Sequence, residues 1–282
     1  MAKFSVRLYI GAGLAAASML VAAPARAQYQ PRPLNDPATG ENFHIEGGAG
    51  WWYPSSNILV ASSGSGVLSG IGGTQIDAKN DLGFTDSRLP EVQVVLRPVR
   101  SHKFRFQYIP ISYDANATLP VTIVFNGIRY PIGVAVHSTL DWKAYRFGYE
   151  YDFVTRNKGF VGFILEAKYT DVRVELDAQA NGAQIQEFAQ ARAPIPAIGG
   201  IARYYVVPNI SITGEFTGFK LPEVANRYSG HYVDIDLYGT LNFTNNIGVQ
   251  GGYRSMDLGY LVKADTGSFT LRGIYFGVVA RY

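Results

Sequence analysis

Apolar and polar residues alternate with a period of two along most of the chain. In the last stretch, Phe269–Tyr282, one face of an extended strand carries Ile274, Phe276, Val278, Ala280 and Tyr282, and the other carries Gly273, Tyr275, Gly277, Val279 and Arg281. Alternation of this kind predicts β-strands whose two faces meet different surroundings. Leu89–Val99 sets Val92, Val94 and Leu96 opposite Glu91, Gln93 and Arg97; His102–Tyr113 sets Phe104, Phe106 and Tyr108 opposite Lys103, Arg105 and Gln107. In Asp141–Val154, Tyr145, Phe147, Tyr149, Tyr151 and Phe153 oppose Arg146, Gly148, Glu150 and Asp152. Gly159–Asp177 has Val161, Phe163, Leu165, Ala167 and Tyr169 on one side and Glu166, Lys168 and Thr170 on the other. At Asp171-Val172 its alternation slips by one, which predicts a bulge or the exit from a bilayer. Asn42–Tyr53, Pro194–Val207, Ile210–Phe219, His231–Phe243 and Ile247–Leu261 complete the set.

The connections are unequal. Arg100-Ser101, Thr155–Lys158, Pro208-Asn209 and Thr244–Asn246 are short polar turns, whereas Pro54–Arg88, Ala178–Arg192 and Lys220–Gly230 read as long loops, the first with a flexible Ser/Gly tract at Ser62–Gly73. Asn126-Gly127 is the strongest hairpin signal in the chain. Val121–Phe125 is shorter than the ~9–11 residues that a strand needs to cross a bilayer, so this hairpin is expected outside the membrane. The pattern therefore predicts a transmembrane antiparallel up-and-down β-barrel of about ten strands, with eight or twelve as alternatives. A water-soluble sandwich fits less well, because the bulky apolar groups share one face in nearly every strand. An edge strand with such a face would aggregate in water, whereas a strand closing a barrel in lipid has both edges paired.

Composition agrees. There are 31 glycines, 19 tyrosines and 16 phenylalanines, no cysteine, and 17% charged residues. Lys3 and Arg7, the apolar run Leu8–Val21 and the small-x-small triplet Ala25-Arg26-Ala27 read as a secretory signal peptide, residues 1–27. Its removal would leave 22 basic residues against the 22 acidic ones, so the net charge of +3 gives no reason to expect a nucleic-acid partner. Residues 28–41, with three prolines and no periodicity, are expected to be a mobile periplasmic lead-in, followed by the barrel over 42–282. Trp51, Trp52, Tyr53, Tyr145, Tyr149, Tyr151 and Tyr282 are expected to anchor the barrel in outer-membrane lipid as aromatic girdles.

Several short stretches resemble a family of small bacterial outer-membrane β-barrel proteins of uncharacterised function. They are Ile76-Asp77, Asp81-Leu82-Gly83, Phe125-Asn126-Gly127, Gly148-Tyr149-Glu150, Gly252-Tyr253-Arg254 followed by Leu258, and the closing strand with its terminal aromatic. The resemblance implies the barrel fold, the bacterial outer membrane as location, and recognition of the closing strand by the barrel-assembly machinery. It implies no catalytic residue.

The candidate chemistry lies on the polar face: Glu46, Arg97, Arg105, Arg146, Glu150, Glu166, Lys168, Glu215, Asp234, Asp236 and Arg254 are expected inside the barrel. Charges of mixed sign in so narrow an interior must pair, since an unpaired buried charge is too costly. The function expected is a non-enzymatic barrel largely filled by side chains, with surface-exposed loops. The alternative is a narrow porin-like channel, and the third reading is a lipid- or peptide-hydrolysing enzyme. Asp234 and Asp236 share a face near His231, but a second catalytic pair is missing, and alternation points adjacent His137 and Ser138 to opposite faces. Asp77, Asn80, Asp81 and Asp86 lack the spacing of a calcium loop, His44, His102, His137 and His231 that of a zinc site, and the glycines near Gly64 that of a dinucleotide fingerprint. No metal or cofactor is expected.

Overall fold

The computed structural model describes residues 38–64, 70–180, 183–225 and 227–282. The expected signal peptide, the lead-in up to residue 37 and the middle of the Ser/Gly tract lie outside the described residues. The described strands are β1 (Ile45–Ala61), β2 (Ile76–Asp77), β3 (Leu89–Val99), β4 (His102–Thr118), β5 (Ile123–Phe125), β6 (Ile128–Tyr130), β7 (Ala135–Arg156), β8 (Gly159–Ala180), β9 (Ala183–Val207), β10 (Ile210–Val224), β11 (Tyr228–Asn242), β12 (Ile247–Val262) and β13 (Asp265–Arg281). Ten of them form an antiparallel ring in the order β1-β3-β4-β7-β8-β9-β10-β11-β12-β13, and β13 pairs back to β1 from Glu46↔Arg281 to Ala61↔Thr266. The short β2 pairs with β1 near its end.

β5 and β6 form a separate hairpin outside the ring, as their length predicts. Its turn is made by Asn126 and Gly127 with φ of +49° and +81°, the left-handed pair that a two-residue hairpin turn demands.

Several strands run well past the limits that the apolar pattern predicts, chiefly at the long-loop end. β7 begins at Ala135 rather than Asp141, and Ala178–Arg192 is no loop, since β8 and β9 stay paired through Gln179↔Gln184 and Ala180↔Ala183. The reason is visible on β8. Val161 to Tyr169 face outward over nine residues, the length of one crossing. From Asp171 upward the outward positions are Asp171, Arg173, Glu175 and Asp177, while Val172, Val174, Leu176 and Ala178 turn inward and are buried. Pairing with β7 and β9 is unbroken across this point. The slip at Asp171-Val172 is therefore not a bulge. The pleat continues, and the chemistry of its two faces exchanges where the strand leaves the apolar belt.

The same exchange marks other strands, so the barrel has two halves. In the turn-end half the outside is apolar and the inside charged. In the loop-end half the inside is a packed apolar core that includes Ile109, Ile111, Leu140, Trp142, Leu176, Met256, Phe269 and Leu271. Two loops fold into it: Ile76, Ala78, Leu82 and Phe84 from the first, and Ile123, Phe125 and Tyr130 from the β5–β6 hairpin, are all buried.

The wall opens between β9 and β10. β9 and β10 stay paired only up to Ile198↔Gly218, whereas β8–β9 continues to Ala180↔Ala183 and β10–β11 to Val224↔Tyr228. Pro194 and Pro196 explain the separation. Being two apart, they strip N–H donors from the same edge of β9. Since Tyr169↔Pro194 and Ala167↔Pro196 belong to the unbroken β8 ladder, the depleted edge is the one facing β10.

Candidate functional site

The interior of the turn-end half is a continuous ion-pair network. At its base, Glu41 lies 2.7 Å from Arg203 and 3.5 Å from Arg97, and accepts a 2.6 Å hydrogen bond from the Tyr205 hydroxyl. Arg281 pairs with Glu46 and donates to Asn242 Oδ1. One level up, Lys103 bridges Glu150 at 2.6 Å and Asp152 at 2.9 Å, and Arg105 joins Glu150 to Glu215. At the centre Arg146 contacts Glu166, Glu215 and Asp234, Lys168 contacts Glu166 and Asp234, and Arg254 sits 2.7 Å from Asp234. Arg254 is 1% exposed. Asp236 accepts from the Tyr275 hydroxyl at 3.0 Å, and Gln107 bridges Arg146, Arg254 and Glu91. Each of these cations has a carboxylate partner, which is what burial requires of it.

The structure thus brings all eleven candidate interior charges, from Glu46 to Arg254, into one interior. Glu41 joins them from a stretch in which no periodicity marks it. Residues 39–41 are held at the base rather than loose: Thr39 N donates to Pro208 O at 2.7 Å, Gly40 N to Asn245 Oδ1, and Asn242 Nδ2 to Thr39 O. Burial alone would raise the Glu41 carboxyl, but the charges of Arg203 and Lys103 and the hydrogen bonds from Tyr205 and Arg203 outweigh it and hold the pKa at about 2.

One expected girdle residue is misplaced. Trp52 is fully buried, with Nε1 donating to Gly273 O at 3.2 Å and the Arg254 guanidinium 5.4 Å from its ring centre. Strict alternation forces this, because Trp51 and Tyr53 on either side point outward, each 46% exposed. Tyr145, Tyr149 and Tyr151 face outward in a cross-strand ladder, paired with Tyr108, Phe104 and His102 at ring separations of 4.7, 5.5 and 5.0 Å. Tyr282 is 87% exposed, and its backbone is bonded to His44 and Ile45.

The residues considered for hydrolysis do not converge. His231 lies on the outer surface, 2.7 Å from Asp257, while Asp234 and Asp236 are committed to Arg254 and Tyr275 inside. Ser138 is buried, and His137 lies on the opposite face beside Asn116. Asp77 and Asp81 accept hydrogen bonds from nearby backbone N–H groups and Asp86 from Ser56, and no group of acidic, His or Cys side chains fit for a metal occurs among the described residues.

A cavity of about 420 Å³ opens at the β9–β10 separation. It reaches from outward-facing Gln190, Arg192 and Pro194 to inward-facing Val172, Phe219 and Leu258. Pro194 and Pro196 are the sequence signal that could have located it.

No family model and no curated protein matches the chain. Among solved structures it is similar to the outer membrane protease OmpT from Escherichia coli, at 9% identity and a TM-score of 0.54, over 89% of this chain and 100% of that one. The Pseudomonas putida toluene transporter TodX (9%, TM-score 0.38, 88% and 92%) and Neisserial surface protein A (13%, 0.31, 85% and 97%) also align. The chain has the fold of the bacterial outer-membrane β-barrels.

Proposed function

We propose that the protein is a non-enzymatic outer-membrane β-barrel, exported by residues 1–27 and sealed along its axis by its own side chains, with its folded loops turned outward. The observation that carries this reading is the ion-pair network running from Glu41 at the turn end to Asp236–Tyr275, capped above by a buried apolar core that includes the β5–β6 hairpin. A pore needs a hydrated path, and here each half of the interior is filled by a different chemistry. The separation of His231 and His137 from the interior carboxylates supports a role without hydrolysis. Girdle tyrosines on β7 and the outward apolar belt fit outer-membrane lipid as the surrounding medium, and the closing strand β13 fits the barrel-assembly machinery.

The test is single-channel conductance of the refolded protein in a planar bilayer, with folding verified by heat-dependent gel mobility. A silent bilayer is expected. Reproducible current steps that change on Arg146→Ala or Arg254→Ala would replace this reading with a narrow channel.

A further inference from the structure

The cavity at the β9–β10 separation lies outside the ion-pair plug and opens along the flank of the apolar core. Its floor and walls are Val172 and Val174 of β8, Ile195 of β9, Phe219 of β10 and Leu258 of β12. Three apolar side chains on inward-facing positions near its rim, Leu221, Tyr228 and Val262, are 40%, 42% and 42% exposed. Everywhere deeper in this half, inward apolar groups are covered. Its volume falls in the roughly 300–1,000 Å³ of ligand pockets.

The position of the mouth identifies the medium it faces. The last β9–β10 pair, Ile198↔Gly218, lies within the outward apolar belt, where Ile198 is 63% exposed. Above it the outward residues on β9 are Pro196, Pro194 and then Arg192, and the next one on β10 is Lys220. Arg192 is 59% exposed at its side chain and paired with Asp171; Lys220 has no carboxylate partner among the described residues. His231, beside Lys220 on β11, is paired with Asp257. Asp265 lines the cavity but is turned to Ser62 and Ser63. The mouth thus spans the level where lipid chains meet headgroups, with apolar surface behind it, Arg192 on its lining and Lys220 on the outer face beside lining residues Phe219 and Leu221.

We propose that this cavity holds one acyl chain of an outer-leaflet lipid with an anionic headgroup, the chain entering sideways between β9 and β10 and the headgroup resting against Lys220 and Arg192. The inference rests on the loop-outward orientation proposed above but not on the barrel being non-conducting. Pro194 and Pro196 keep the entrance open, because β9 cannot donate hydrogen bonds to β10 there.

The test uses the full chain in nanodiscs containing phosphatidylglycerol or phosphatidylcholine that carry the same diazirine-bearing acyl chain, with adducts mapped by mass spectrometry after irradiation. The proposal expects adducts on Val172, Phe219 and Leu258, about fivefold more abundant with the anionic lipid, the factor that roughly one basic residue near a headgroup supplies. Leu221→Trp fills the cavity and should abolish these adducts while leaving those on outward Phe216 and Ile235. Should that variant fail to fold by gel mobility, Pro194→Val with Pro196→Val, which lets β9 pair with β10 again, should abolish them equally. Adducts confined to outward residues, or equal interior labelling by both lipids, would overturn the proposal. The conductance measurement is unaffected by either result, so the two readings fail separately.

Discussion

The two halves of the barrel are built on strands that run from one into the other, such as β7 and β8, yet they are held together in opposite ways. In the turn-end half, lipid takes the place of a hydrophobic core, and charged side chains fill the axis. In the loop-end half, the axis is a water-excluding core and the outer wall carries polar ladders such as Arg173–Glu175 and Asp171–Arg192. The difference teaches that backbone hydrogen bonding alone fixes the cylinder. Which face is apolar is then decided locally by the medium outside, and a single strand can satisfy two media in succession. Alternation read as a fixed rule mistakes the exchange of faces on β8 for a slip; alternation read by parity follows it.

The largest effect should come from breaking the charged half at its hub. Asp234→Ala leaves Arg254, Arg146 and Lys168 short of a partner and is expected to destabilise by about 3–5 kcal/mol, measured as the loss in unfolding free energy in lipid or micelles. A change below about 1 kcal/mol would mean that the network is hydrated and that the plug reading is wrong. The matching break in the apolar half is Trp142→Ala. Trp142 is 1% exposed and packs edge-on against Phe269 at 5.3 Å, and its truncation should cost about 3–5 kcal/mol through the cavity left behind.

A sharper version of the comparison uses one strand. Leu165→Arg on the outward face of β8 puts a charge in the belt and should cost about 2–4 kcal/mol. Arg173→Leu, eight residues further along the same face, should stay within about 0.5 kcal/mol. Equal costs at the two positions would deny that the medium changes between them.

A further effect is a pH dependence at the base. The Glu41 pKa is lowered from 4.5 to about 2, so the stability it contributes is fully present above 4.5 and is lost as pH falls through about 2. Glu41→Gln should flatten that part of the acid unfolding curve. An unchanged slope would place Glu41 outside the network.

The belt half was legible in the sequence because nine-residue alternation is long enough to establish a period, and the turns between its segments are short and polar. All ten strands could be placed on that basis. The exchange of faces was hidden because Asp171-Val172 reads as a slip when hydrophobicity is followed instead of parity. Trp52 shows the same error in miniature: aromatic composition places it in the girdle, whereas its neighbours Trp51 and Tyr53 place it inside. Glu41 sits in a Pro-rich, aperiodic stretch, and only tertiary pairing with Arg203 reveals it. The pairing of interior charges was likewise beyond reach, since which cation meets which carboxylate depends on register across the ring.

The seam between β1 and β13 sets a condition on how the molecule is made. Glu46 and Arg281, partners across that seam, are 235 positions apart in sequence, and every residue of β1 waits for a partner from the last strand made. Loop-closure entropy for such contacts must be met before any reward arrives. Folding therefore cannot proceed strand by strand as the chain emerges; the cylinder and its charged filling can be completed only once the whole chain is available, which makes assembly slow and leaves the unpaired edges of β1 and β13 exposed until they find each other.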